Sequence, residues 1–122
     1  PYEQWQVAEG LNRIGIRSGD KVAFMGYAFR NSWARLARVR IVTEMPAAEV
    51  SSFWAADSLV KSQVIKTFAR TGAVAIVTKD VPSSVSITDW QRIGNTDYYV
   101  FILPRYENNK WGEDRAAPQD FE

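Results

Sequence analysis

Gly19-Asp20-Lys21-Val22-Ala23-Phe24-Met25-Gly26 is a turn, a short apolar run and a glycine. The run is apolar at successive positions, not alternate ones, so a strand formed here would need both faces covered. That pattern belongs to a central strand of a mostly parallel sheet. The sequence on either side has helical periodicity, which makes the local unit helix, strand, helix.

Upstream, Val7, Ala8, Leu11 and Ile14 fall on one face of a helix over residues 2–14. Glu3 and Glu9 lie early and Arg13 late, matching the helix dipole, and Gly15 suits the C-terminal stop. Downstream, Asn31 or Ser32 would cap a helix from Trp33 to about Val39, with Trp33, Leu36 and Ala37 inward and Arg35 and Arg38 outward. A strand at about Arg40–Glu44 ends at Met45-Pro46. Residues 47–71 read as helix with a break. Val50, Phe53 and Trp54 share one face before it; Asp57 or Ser58 would cap the second piece, with Val60, Val64, Ile65 and Phe68 inward.

Gly72 closes that helix, and Ala73–Thr78 is the clearest strand in the chain, continuous and β-branched. Lys79–Ser84 is loop, Thr88–Arg92 suggests a helical turn, and Gly94-Asn95 is a further turn. Tyr98–Leu103 reads as the last strand, stopped by Pro104. The expected fold is α/β: a small three-layer sandwich with a mostly parallel four-stranded sheet, helices on both faces. With strands numbered along the chain, right-handed crossovers give the order 2-1-3-4. Residues 1–103 form the domain, and residues 104–122 are a polar, acidic C-terminal tail.

At 122 residues one domain is expected, and 46% hydrophobic content with five tryptophans speaks for a packed core. There is neither cysteine nor histidine. This excludes disulfides, thiolate metal sites, a cysteine nucleophile and the commonest general base. Any metal site would rest on oxygens; none is assigned, and no cofactor is called for. Residues 1–103 carry 12 Lys/Arg against 9 Asp/Glu, a balance of +3; residues 104–122 carry 3 against 5, a balance of −2. Neither value points to nucleic acid. No run approaches the roughly 18 apolar residues that span a bilayer, and no signal peptide is visible. The chain opens at Pro1 without an initiator Met, which suggests a processed chain or a domain of a longer protein.

In an open parallel sheet, ligands gather at the carboxyl ends of strands where the order reverses. Here that point lies between the first and third strands. Its lips would be Gly26–Ser32 and Thr78–Ser84, giving Gly26, Tyr27, Arg30, Asn31, Ser32, Thr78 and Asp80 as candidate ligand-binding residues. Arg30 beside the free N–H groups of the next helix could hold a small anion. The same residues also read as a tight turn and an ordinary cap, since one glycine stands where a dinucleotide fingerprint has three. Arg35, Arg38 and Arg40, with Arg30 and Arg70, could make a basic patch, or simply a solvated face. Asp20, Glu44, Asp80 and Asp89 are the candidate acids and bases; no spacing pairs them, and Asp20 suits a turn better. Among the aromatics, Trp33 and Trp54 sit on apolar helix faces. With Trp5, Trp90, Tyr98 and Tyr99 they could line a sugar or aromatic-ligand platform. Tyr27, Trp90 and Trp111 have polar neighbours and are interface candidates, with Arg35 and Arg38.

Two families resemble parts of this chain. Ala8-Glu9-Gly10-Leu11, Ile14-Gly15-Ile16, Gly19-Asp20-Lys21-Val22-Ala23, Asn31-Ser32 and Trp33-Ala34 look like the opening of the N-terminal subdomain of adenylate-forming enzymes. There these positions are scaffold, and that family's phosphate loop has no counterpart here, so activity does not carry over. The second resemblance spans most of residues 3–103. Gly15, Gly19-Asp20, the run Trp33–Val42, Phe53-Trp54, Gly72-Ala73-Val74-Ala75 and Trp90 with Thr96-Asp97-Tyr98-Tyr99-Val100 are similar to a soluble C-terminal domain of uncharacterised bacterial polytopic membrane proteins. Some of those parents are similar to lipid-linked-sugar glycosyltransferases.

This second resemblance implies context without a reaction: a non-catalytic accessory or binding module, membrane-associated as part of a longer chain, on a side of the membrane the sequence does not give. Its partner would be the parent membrane protein or another protein, with a small anionic ligand as a further candidate. Docking of the tail in trans would give a homo-oligomer. The alternative is a small enzyme or enzyme subdomain that binds a nucleotide or sugar phosphate at Gly26–Ser32.

Overall fold

The structure is a computed structural model, and it describes residues 2–27, 29, 31–85 and 89–104. The element order is α1 (Tyr2–Arg13), β1 (Lys21–Met25), α2 (Ser32–Ala37), β2 (Arg40–Met45), α3 (Ala47–Ala55), α4 (Ser58–Arg70), β3 (Ala75–Lys79), β4 (Gln91–Arg92) and β5 (Tyr98–Ile102). The chain is α/β, and its five strands make one mixed sheet in the order β2-β1-β3-β5-β4.

The apolar run that opens β1 lies where its pattern placed it. Val22, Ala23, Phe24 and Met25 are all buried, and β1 pairs in parallel with β2 on one side and β3 on the other. Side chains alternate between two cores. Val22 and Phe24, with Ala75, Val77, Tyr98 and Val100, pack against Val7 and Leu11 of α1 and Trp33 of α2. Ala23, Met25 and Ile76 point the other way, onto Phe53 and Trp54 of α3 and Phe68 and Ala69 of α4. Burial of both faces is what a strand without polar alternation requires. The indole nitrogens of Trp33 and Trp54 are buried without a hydrogen-bond partner among the described residues.

The sheet departs from expectation beyond β3. It has five strands, not four, and its last long strand is antiparallel: Lys79 sits opposite Tyr98 and Ala75 opposite Ile102. The cause is the connection. A parallel return needs a crossover, usually a helix, to bring the chain back to the starting end. After β3 no helix intervenes among the described residues. The Asp80 N–H instead donates to the Asp97 carbonyl at 2.9 Å, closing the loop at the end of β3 so that β5 starts there.

The expected helical turn at Thr88–Arg92 is also corrected. Thr88 lies outside the described residues, and Gln91–Arg92 form a two-residue edge strand opposite Val100 and Tyr99. A hairpin around Gly94-Asn95 joins it to β5, and Gly94 takes a left-handed φ of 55°.

The helix break is capped by Asp57, whose carboxylate accepts from the Val60 N–H at 2.9 Å. Two inward assignments fail: Leu36 is 37% and Val60 44% exposed. Helix α2 has only six residues, and Trp33 takes its inner position. Val60 lies in the first turn of α4, whose buried residues, Phe68 and Ala69, are at its far end. No described helix is long and apolar enough to cross a membrane.

Candidate functional site

The registers β1–β2 and β1–β3 bring Met25 level with Met45 and Thr78, so the chain leaves β1 and β3 side by side. A cleft of about 430 Å³ opens at these carboxyl ends. Gly26 starts one lip. Its φ of 121° lets the chain turn away from the sheet while its N–H still donates to the Met45 carbonyl at 2.9 Å. Tyr27, Phe29 and Asn31 continue that lip. The other is Lys79 and Asp80, and Tyr98 enters from β5 because antiparallel pairing sets it opposite Lys79.

Fixed and free groups divide clearly. Tyr98 is 4% exposed; its hydroxyl accepts from Gln4 Nε2 at 3.1 Å, while Gln4 Oε1 accepts from the Trp33 N–H at 2.9 Å. One glutamine of α1 thus caps α2 and anchors the cleft tyrosine. Asn31 holds the capping position without using its side chain as a cap; its Nδ2 donates to the Tyr27 carbonyl at 3.3 Å. Lys79 is exposed, with Nζ 5.7 Å from the centre of the Tyr98 ring. Asp80 is exposed and left-handed, φ 63°, a conformation Asp tolerates better than most residues. Tyr27 and Phe29 are 82% and 85% exposed.

Of the residues singled out in the sequence, Gly26, Tyr27, Asn31 and Asp80 line this one cleft. Ser32 begins α2, exposed and outside the cleft lining. Thr78 is fully buried beneath it, its hydroxyl donating to the Met25 carbonyl at 2.9 Å and tying β3 to β1. Arg30 and Trp111 lie outside the described residues. Phe29 and Lys79 fall inside the two expected lips but were not among the candidate residues, and Tyr98 was not placed at this site. Lys79 could have been found as the last residue of its strand; Tyr98 required the direction of β5.

The remaining candidates disperse. Arg35 and Arg38 are exposed at the end of α2, and Arg38 lines a groove of about 330 Å³ with Trp5 and Leu36. Arg70 ends α4, which packs on the other face of the sheet, so it does not join them. Trp90 is half-buried in a cluster of rings, edge-on to Trp54 at 5.2 Å and tilted against Phe101 at 5.3 Å between centres. Those rings floor a third cleft, of about 500 Å³, walled by Ser58, Lys61, Ser62, Ile65 and Lys66 of α4. Asp20 is a turn residue, its carboxylate accepting from the Arg17 N–H at 2.8 Å. Of the four candidate acids only Asp80 lines the carboxyl-end cleft, and no three His, Cys, Asp or Glu cluster as a metal site among the described residues.

No protein-family model matches the chain, and no curated protein or solved structure does.

Proposed function

We propose that this chain is a non-catalytic binding module that takes a small ligand in the cleft at the carboxyl ends of β1 and β3. In this reading it serves a larger bacterial membrane protein, as the resemblance over residues 3–103 implies. The parallel unit β2-β1-β3 with helices on both faces then acts as a reduced Rossmann-like half, binding where such sheets bind. One observation carries the reading: Gly26, Tyr27, Asn31 and Asp80, chosen as lip residues, line a single cleft with Lys79 and Tyr98.

In this reading the cleft serves recognition. Among the described lining residues Asp80 is the only carboxylate, so no carboxylate pair that could divide acid and base roles lines the cleft. Lys79 favours a second reading, an enzyme acting on a nucleotide or sugar phosphate, because its ammonium could hold one phosphate.

A thermal-shift screen with nucleotides, sugars, sugar phosphates and inorganic phosphate separates the two. Binding raises the melting temperature by mass action. The expected result is stabilisation by at least one compound, lost in Lys79→Ala or Asp80→Asn, with the compound recovered unchanged after incubation. Turnover of a phosphorylated compound would establish the enzyme instead. A stabilisation indifferent to both substitutions would place binding elsewhere.

A further inference from the structure

Resting on the cleft reading above, we infer that the ligand class is a sugar ring, free or singly phosphorylated, stacked on Tyr27 and Phe29. These two rings are the most exposed large apolar side chains among the described residues, and both line the mouth of the cleft. An exposed aromatic face is a platform for an apolar surface, and its negative quadrupole favours the weakly positive C–H face of a pyranose. The polar complement fits the hydroxyls. A sugar hydroxyl both donates and accepts, so it needs acceptors and donors side by side. Asp80 offers a carboxylate, Asn31 a carbonyl oxygen and Lys79 an ammonium, all on the same cleft.

The position of the carboxylate is set by the backbone. Asp80 is held left-handed while its N–H is fixed to Asp97 at the junction of β3 and β5. The same carboxylate disfavours a polyphosphate, since it would face like charge at close range. A volume of about 430 Å³ lies within the range of small-molecule sites and holds a mono- or disaccharide.

Saturation-transfer NMR and calorimetry test this with glucose, galactose, mannose, N-acetylglucosamine and maltose, the corresponding 1-phosphates, and AMP and ADP. At least one saccharide is expected to receive saturation, strongest on the C–H groups of one ring face. The Tyr27→Ala/Phe29→Ala double variant is expected to weaken it by about tenfold or more. Both rings are largely exposed, so the variant should keep the wild-type amide spectrum. Asp80→Asn should weaken the same sugar without changing its stacked face. Tighter binding of a 1-phosphate that Lys79→Ala reduces to the level of the free sugar identifies the phosphorylated form; equal binding identifies the free one. If only nucleotides bind and shift the cleft signals, the sugar inference is overturned and the cleft reading stands. If no compound shifts them, both fall.

Discussion

Gln4 ties two walls of the candidate site together. It stands in for the missing side-chain cap of α2 and fixes the Tyr98 hydroxyl, bonds made across 29 and 94 residues of sequence. Losing a cap costs about 1 kcal/mol, and a part-buried hydrogen bond a similar amount. Gln4→Ala should therefore lower unfolding stability by about 1–2 kcal/mol in urea titration; an unchanged midpoint would show that neither bond matters. Gly10 has the opposite sign to its local propensity. In a helix interior Gly→Ala ordinarily gains up to about 1 kcal/mol. Here an added methyl would run into the Ile93 side chain, which packs directly over α1. Overpacking costs about 1–3 kcal/mol, so Gly10→Ala should lower the melting temperature; a rise would contradict the close approach of α1 to Ile93. Neither residue announces itself in the sequence, because each role belongs to a partner far along the chain.

The elements differ in how openly they are written. The break between α3 and α4 was legible, since Asp57 precedes a helical apolar pattern and caps it. The direction of β5 was harder: Tyr98–Ile102 is equally apolar whichever way it runs, and only the connection decides. Residues 80–97 offer no more than the short helical turn read at Thr88–Arg92, too little for a crossover helix, and that was the available signal for an antiparallel return. The strand β4 was illegible, because two residues carry no periodicity. Its hairpin is held by Thr96, which is 2% exposed, donates to the Ile93 carbonyl at 2.7 Å and accepts from the Tyr98 N–H at 3.0 Å. Thr96→Val keeps the shape and strands the Tyr98 N–H. It should cost about 1–3 kcal/mol by chemical denaturation and speed amide exchange at Ile93 and Tyr98. Unchanged exchange there would mean that the β4–β5 ladder alone holds the hairpin.

At the scale of the molecule, two cores on opposite faces of one sheet leave β1 inside, with β2 and β3 parallel to it. That much follows from a strand without polar alternation between two helical patterns, and it placed the mouth of the candidate site before any side chain was located. Of its lining, Tyr98 was hidden because it enters from β5. The most direct test of the account is amide chemical-shift mapping of the labelled protein during titration with the saccharide, sugar-phosphate and nucleotide panel. The expected shifts cluster at Gly26, Tyr27, Asn31, Lys79, Asp80 and Tyr98, around one cleft. Shifts confined to Trp54, Trp90 and Phe101, or none with any compound, would contradict it.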